Sequence, residues 1–484
     1  MGTKELRDVI VVLPGITGSV LRADGRDVWA LSGRALWSGL TSSGDSLQRL
    51  RLHNGDPGEI VAERLMPTAH LVPGLIKIDG YSALIQLVQE TFKIVPGANF
   101  LEFPYDWRLD NRIAARRLEQ TVERALHEWR QHTSNPAAKV IFLAHSMGGL
   151  VARYYLEVLE GWRDCRALFT FGTPYRGSLN PLGFLANGYK KAFVDLTNVM
   201  RSFPSVHQLL PIYPALRVGD EYVRVAEAGH LSGIDPVLVT DALAFHREIE
   251  TKVTEHLDND NYCRDGYTIV PIIGTRQPTN QSGVLTDKRV TVSRELPAGI
   301  DPLLADGDGS VPRASAIPIE LSEAYRDTFV PERHGSLQCN AAILADVRGR
   351  LEQSQVRGLG AIRGPQETPA AAERPAIALD VEDLYLPGEP VTIHAELLNT
   401  TSDVPLRARV QLVEPSAGPA PRTLGMTLTS LPSRPSRPWG AQLELAGLPS
   451  GVYRLTVDAA QAGPTAPAPV HDIFAVAGAT DGPG

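Results

Sequence analysis

The sequence predicts an α/β protein, a doubly wound and mostly parallel sheet interrupted by two long insertions, followed by an all-β, immunoglobulin-like sandwich. Short β-branched or apolar runs alternate with helical patterns from Val9 to about Glu352, which is how βαβ units read in sequence. After Arg357 the composition turns to glycine, proline and small residues, and beyond it apolar positions recur with period two between turn residues. A chain of 484 residues, 43% of them hydrophobic, suits one large domain and one small one better than a single core.

Taken in order, strands are expected at residues 9–13, 99–103, 140–144, 168–171 and 267–273. Between the second and third, Ile113, Leu118, Val122, Leu126 and Trp129 suit an amphipathic crossover helix. Two stretches, about 21–75 and 182–243, stand where a compact αβ unit needs only a short loop, so they are expected as cap or lid insertions. The second carries Phe193, Leu196 and Met200 on one helical face, then Leu209-Leu210-Pro211. The large domain is expected to span residues 1–357, a linker 358–375, the sandwich 376–477 and a short tail 478–484. The linker's composition predicts that few contacts cross it, so that residues 1–357 would fold and work alone. The sandwich shows no catalytic constellation and is expected, if anything, to receive a protein partner.

A net charge of −8 leaves no basic excess for a phosphate backbone, so nucleic-acid binding is not expected, and acidic lipid surfaces gain no global attraction. Cys165, Cys263 and Cys339 are far apart and odd in number, which suits a reducing compartment, and none has metal-ligand spacing. The N-terminal residues lack the basic and apolar regions of a signal peptide, Leu6 occupies the position where myristoylation wants Ser or Thr, and no run is long enough to span a bilayer. A soluble, cytoplasmic protein is therefore expected, with no cofactor or metal.

The strongest local signal is Ala144-His145-Ser146-Met147-Gly148-Gly149, between an apolar strand and a helical pattern. That is the setting of a nucleophile elbow, with Ala144 as the small residue where glycine usually stands. The amide of Met147, at the start of the following helix, lies beside the serine oxygen and favours an oxyanion. A second donor is expected from the loop after the first strand, Pro14-Gly15-Ile16-Thr17-Gly18. In such α/β-hydrolases the acid and then the base follow the serine in sequence. The turn Asp306-Gly307-Asp308-Gly309 offers two carboxylates, and His334 lies in a loop after the strand-like residues 328–330. His207, His230, His246 and His256 fall in or near the second insertion and suit the base less well.

Several motifs coincide with one family. Leu13-Pro14-Gly15, Pro104-Tyr105-Asp106-Trp107-Arg108, the Ser146 motif, Gly172-Thr173-Pro174, Ser202-Phe203-Pro204-Ser205 and Gly307-Asp308-Gly309-Ser310-Val311-Pro312 make residues 9 to 350 resemble the lecithin:cholesterol acyltransferase family, which includes lysosomal phospholipase and phospholipid:diacylglycerol acyltransferase. The resemblance implies Ser146 as nucleophile, Asp308 as acid, His334 as base, and the amides of Ile16 and Met147 as the oxyanion hole. Residues 21–75 lack the cysteines that close a lid in the animal members, and the sandwich lies outside the family pattern. Asp106 and Arg108 are expected as a structural ion pair.

The implied reaction is acyl transfer through an acyl-enzyme, to water in a lipase or phospholipase or to a lipid alcohol in an O-acyltransferase. The expected partner is a lipid ester, met through transient contact with a membrane surface. Trp29, Trp37, Phe193 and Met200 are expected to line an acyl groove. Two alternatives stay open: a soluble esterase or thioesterase for small or protein-borne acyl groups, and a binding module with a residual hydrolase.

Overall fold

The computed structural model describes residues 2–30, 48–53, 55–72, 76–191, 194–321, 328–357, 375–400, 404–413, 423–430, 440–460 and 466–477. Its main sheet has six strands, β1 (Val9–Leu13), β2 (Phe100–Glu102), β3 (Val140–His145), β4 (Cys165–Phe171), β5 (Thr268–Gly274) and β6 (Phe329–Val330), in the order β2-β1-β3-β4-β5-β6. Every pairing in it is parallel. All residues of β1 and β3 are buried, as a parallel sheet covered on both faces requires, which is why these strands read as unbroken apolar runs. The chain passes from β1 to β2 on one side and then to β3 on the other, so the strand order reverses about β1. In open α/β sheets the carboxyl ends of strands at such a reversal hold the ligand site.

Helix α1 (Asn111–Thr133) makes the crossover from β2 to β3, capped by Asp110, whose side chain accepts from the Arg112 amide. Ala114, Ala115, Leu118, Val122, Ala125, Leu126 and Trp129 form its buried face. Ile113, expected on that face, is 51% exposed. Five residues before Leu118, it lies about 140° around the helix from it at 3.6 residues per turn.

The first insertion is a small β unit. Strands Ser19–Ala23, Arg26–Trp29 and Val61–Leu65 form one sheet, and His70–Val72 pairs with Ile76–Ile78 as a hairpin. In the second, Leu216–Val218 pairs in parallel with Ser282–Thr286, so this region is completed by a hairpin that follows β5. The expected end of the insertion near residue 243 falls inside a continuous helix, Pro236–Leu257.

The helix Ala341–Arg357 ends the large domain, and the expected linker lies almost wholly outside the described residues, as does the tail. The C-terminal strands form sheets of four and five strands that share one core, including Ile377, Leu379, Ile393, Val410, Leu455 and Phe474. The expected isolation of this domain is overturned. Leu384, Val452, Ile473, Ala475 and Ala477 are buried as part of the large domain's core. Ion pairs also cross between the domains, from Lys77 to Asp383 (2.9 Å) and Asp472 (3.2 Å), from Arg333 to Asp472 (2.8 Å), and between Asp79 and Arg454. Linker composition reports how a chain is connected, and it carries no information about which surfaces meet afterwards. Among the described residues no helix is long and apolar enough to cross a membrane.

Candidate active site

Ser146 sits at the junction of β3 and the helix α2 (Met147–Arg153), with φ 51° and ψ −123°. This conformation costs a non-glycine residue about 1–3 kcal/mol and persists only when its surroundings over-determine it. Here they do. The Ser146 amide donates to the Phe171 carbonyl (2.9 Å), and its own carbonyl accepts from the Thr173 hydroxyl (2.9 Å). Gly149 is pressed against Thr173, leaving no room for a side chain.

His334 Nε2 lies 2.9 Å from Ser146 Oγ and its Nδ1 lies 2.7 Å from Asp308 Oδ2. The other oxygen of Asp308 accepts from the amides of Ser310 (2.9 Å) and Val311 (2.7 Å), which fixes the carboxylate and orients the ring. The His334 amide also donates to the Asp308 carbonyl (2.8 Å). All three side chains are buried, at 3%, 4% and 1% exposure for Ser146, His334 and Asp308. With Nδ1–H held by the carboxylate, Nε2 is free to accept the serine proton.

Asp306, the other carboxylate of that turn, faces away and pairs with Arg313. The competing histidines are also engaged elsewhere. His207 bonds the Phe203 carbonyl (2.9 Å), His246 the Gln208 carbonyl (2.7 Å), and His256 lies between Glu157 (2.7 Å) and Glu160 (3.0 Å). His230 is exposed.

The loop after β1 packs onto the serine. A Cβ on Gly15 would lie 2.9 Å from the Ser146 Cβ, so only glycine brings this backbone so close. The Gly15 amide is consumed by Tyr81 Oη (2.8 Å), and the Gly18 amide by the Gly15 carbonyl (3.1 Å), which leaves the amides of Ile16 and Thr17 as this loop's candidate oxyanion donors. Met147 is the first residue of α2, so its amide has no intrahelical partner. Tyr81 Oη also lies 3.0 Å from Nδ1 of His145, whose Nε2 lies 3.2 Å from the His334 carbonyl. Burial, together with the nearby His334, holds His145 well below the ordinary histidine pKa, so it is neutral. Since Tyr81 receives the Gly15 amide and donates to Nδ1, the His145 proton sits on Nε2 and is donated to His334.

The Tyr105-Trp107 block braces the same loop. Tyr105 donates its hydroxyl to the Pro14 carbonyl (2.9 Å), and Trp107 its ring N–H to the Ser19 carbonyl (3.1 Å). Asp106 and Arg108 form the expected ion pair (2.6 Å), and Arg108 also donates to the carbonyls of Leu50 (3.0 Å) and Pro57 (3.1 Å) in the first insertion. Ser205 donates to the Trp107 carbonyl (2.6 Å), which ties the Ser202–Ser205 motif to that block.

Of the residues expected to line an acyl groove, Trp29 and Met200 are buried in the core, at 4% and 3% exposure. Trp29 packs edge-on against Trp107 (5.2 Å) and donates its ring N–H to the Thr17 carbonyl (3.0 Å). Their apolar surface is therefore covered by the protein itself in this conformation. Trp37 and Phe193 lie outside the described residues.

Gly172, named above only as part of a motif, is set by the structure directly behind the pair. Its φ is +62°, and a Cβ there would meet Asp308 Oδ2 and His334 Nδ1, each at 2.8 Å. The position after a central strand in Gly172-Thr173-Pro174 was the available signal. We expect Gly172→Ala to destabilise the fold by about 1 kcal/mol or more and to lower kcat about ten- to a hundredfold by displacing the ring. Thermal melts and steady-state kinetics on one preparation check both, and an unchanged kcat would mean that the pair yields at no cost.

The model of the lecithin:cholesterol acyltransferase family matches residues 71–299. That segment is similar to the lecithin:cholesterol acyltransferase family. It contains Ser146 and the Tyr105-Trp107 block, while Asp308 and His334 follow it. The lecithin:cholesterol acyltransferase match is accompanied by two curated relatives. A phosphatidylcholine-sterol acyltransferase of Gallus gallus is 28% identical over 102 residues, covering 20% of this chain and 23% of that protein. An uncharacterized protein of Saccharomyces cerevisiae is 29% identical over 175 residues, covering 36% of this chain and 23% of that protein. The chain thus spans about a quarter of the length of either. Among solved structures, a Bacillus licheniformis lipase in its propeptide form aligns with 10% identity and a TM-score of 0.33, over 98% of this chain and 95% of that one. This similarity is too low to add to the topology above.

Proposed function

We propose that this protein is a serine hydrolase that cleaves or transfers the acyl group of a lipid ester through an acyl-enzyme on Ser146. The observation that carries this reading is the pair of hydrogen bonds linking Ser146, His334 and Asp308 at 2.9 and 2.7 Å beneath the loop of Gly15 and Ile16. Ser146 attacks the ester carbonyl while His334 Nε2 takes its proton. The amides of Ile16 and Met147 receive the oxyanion, and His334 then protonates the departing alcohol. Water or a second alcohol, deprotonated by the same nitrogen, releases the acyl group. Asp308 holds the imidazole in the tautomer that makes this possible and stabilises the imidazolium. The lecithin:cholesterol acyltransferase match supports a lipid ester, and we take phospholipid as the substrate and water as the acceptor. We read the sandwich as immunoglobulin-like and the cytoplasm as the site of action.

Incubation with vesicles of mixed phospholipids is expected to release free fatty acid and lysophospholipid, detected by mass spectrometry, and the Ser146→Ala protein to release none. A second reading, a soluble short-chain esterase, is favoured by the covering of Trp29 and Met200, which leaves neither free to receive an acyl tail. Monomeric p-nitrophenyl esters separate the two. Each buried methylene contributes about 0.8 kcal/mol, so a lipid-binding groove raises kcat/KM with chain length until it is full. Best activity on acetate, with no fatty acid released from vesicles, would favour the short-chain esterase.

A further inference from the structure

We propose that the C-terminal sandwich is a working part of the hydrolase, bracing the loops that carry Asp308 and His334, with Gln277, Glu332 and His471 as positioning residues. This inference rests on the reading of Ser146, Asp308 and His334 given above.

The loop of residues 332–336 is gripped from two sides. On one side Gly335 lies against the Lys77 backbone, and its carbonyl accepts from the Asp79 amide (2.8 Å). On the other lies the sandwich strand Val470–Val476. Glu332, two residues before the histidine, is fully buried at 0% exposure. Its carboxylate accepts from the His471 amide (2.9 Å) and ring Nδ1 (2.7 Å) in that strand, and from Asn340 (2.8 Å) and the Arg333 amide (2.8 Å) in its own domain. A buried carboxylate must find donors for its lone pairs, and here the sandwich supplies two of them. Arg333, adjacent to the histidine, donates to the Leu379 carbonyl (2.6 Å) and pairs with Asp472 (2.8 Å), both in the sandwich.

The acid loop is braced in the same manner. Gln277 is buried, and its amide donates to the Gly307 carbonyl (3.0 Å), next to Asp308. Its side chain then bonds the sandwich strand Ala376–Val381 at both ends, donating to the Ile377 carbonyl (3.0 Å) and accepting from the Leu379 amide (3.1 Å). None of these groups touches Ser146. They fix the backbone on which the acid and base ride, and a displacement of about 1 Å at a reacting group can cost on the order of a hundredfold in rate.

The test uses the full chain with p-nitrophenyl butyrate, following kcat, KM, the rate of Ser146 labelling by a fluorophosphonate, and folding by circular dichroism. His471→Leu removes the ring donor to Glu332 and should lower kcat and the labelling rate about ten- to a hundredfold, with KM within about twofold, since no substrate contact is altered. His471→Asn, which keeps a nitrogen donor near the place of Nδ1, should recover most of the loss. Arg294→Ala breaks an exposed ion pair to Asp380 at the same domain boundary without removing a bond to Gln277, Glu332 or His471, and should change neither rate. If His471→Leu does not fold, Gln277→Ala is judged by the same split between kcat and KM. Unchanged or increased kcat in the folded variant, or equal losses in His471→Leu and His471→Asn, overturns the brace. A wild-type protein that is not labelled at Ser146 fails the underlying reading of the site, whereas a labelled and active wild type beside an unimpaired His471→Leu fails the brace alone.

Discussion

Replacing Ser146 by alanine is expected to abolish covalent labelling by a fluorophosphonate and to lower ester turnover by at least about a thousandfold, the scale of losing an activated nucleophile. The fold should survive, because the side chain contributes one hydrogen bond, to His334, while the elbow is held through the backbone by Phe171 and Thr173. Alanine must still adopt the positive φ of Ser146, so little stability is gained or lost. Labelling that persists in the alanine protein, on a site mapped by peptide mass spectrometry, would refute Ser146 as the nucleophile.

Asp308→Asn is expected to lower kcat on the order of ten-thousandfold, because an amide in place of the carboxylate holds the imidazole in the wrong tautomer and no longer stabilises its cation. The cost concerns protons and not shape, as the asparagine side chain fills the same space against Gly274 and Gly172. Asp306→Asn, two residues away, weakens an ion pair to Arg313 that does not reach the histidine. It should leave kcat within a few-fold of wild type and lower thermal stability by about 0–1 kcal/mol, since Asp306 is partly exposed. Parallel kinetics and melts on the two proteins make the comparison, and equal losses in kcat would leave the acid without an assignment.

Legibility in the sequence followed the range of the interaction. Strands β1 and β3 are apolar along their whole length because both faces are covered, so each could be read from its own few residues. Ser146 was equally local, its strand, turn and helix being contiguous. Asp308 and His334 needed an argument about order along the chain, and one carboxylate could be chosen over its neighbour only by resemblance; what separates them physically is that Asp306 is turned toward Arg313. Gln277 and Glu332 were not legible, and Gly172 was legible only as part of a motif without a role, because each acquires its role from atoms far away in sequence. The sandwich was misjudged for a related reason. In its strand Val470–Val476, the residues Asp472, Ile473, Phe474, Ala475 and Val476 are buried in succession. The sequence sign of this second covered face is the unbroken apolar run Ile473-Phe474-Ala475-Val476, unusual for an antiparallel strand with one side in water.

The ion pair between Asp79 and Arg454 joins residues 375 positions apart, and the one between Lys77 and Asp472 joins residues 395 apart. Contacts of such separation form late, because the entropy of closing so long a loop must be overcome before they reward the chain. A nascent polypeptide leaving the ribosome would already hold Ser146 in its elbow and His334 in its loop while the strand at Val470–Val476 was still unmade. If the proposed brace holds, Ser146 and His334 are brought to their final spacing only after the strand Val470–Val476 has docked, so the pair is the last part of the site to be set.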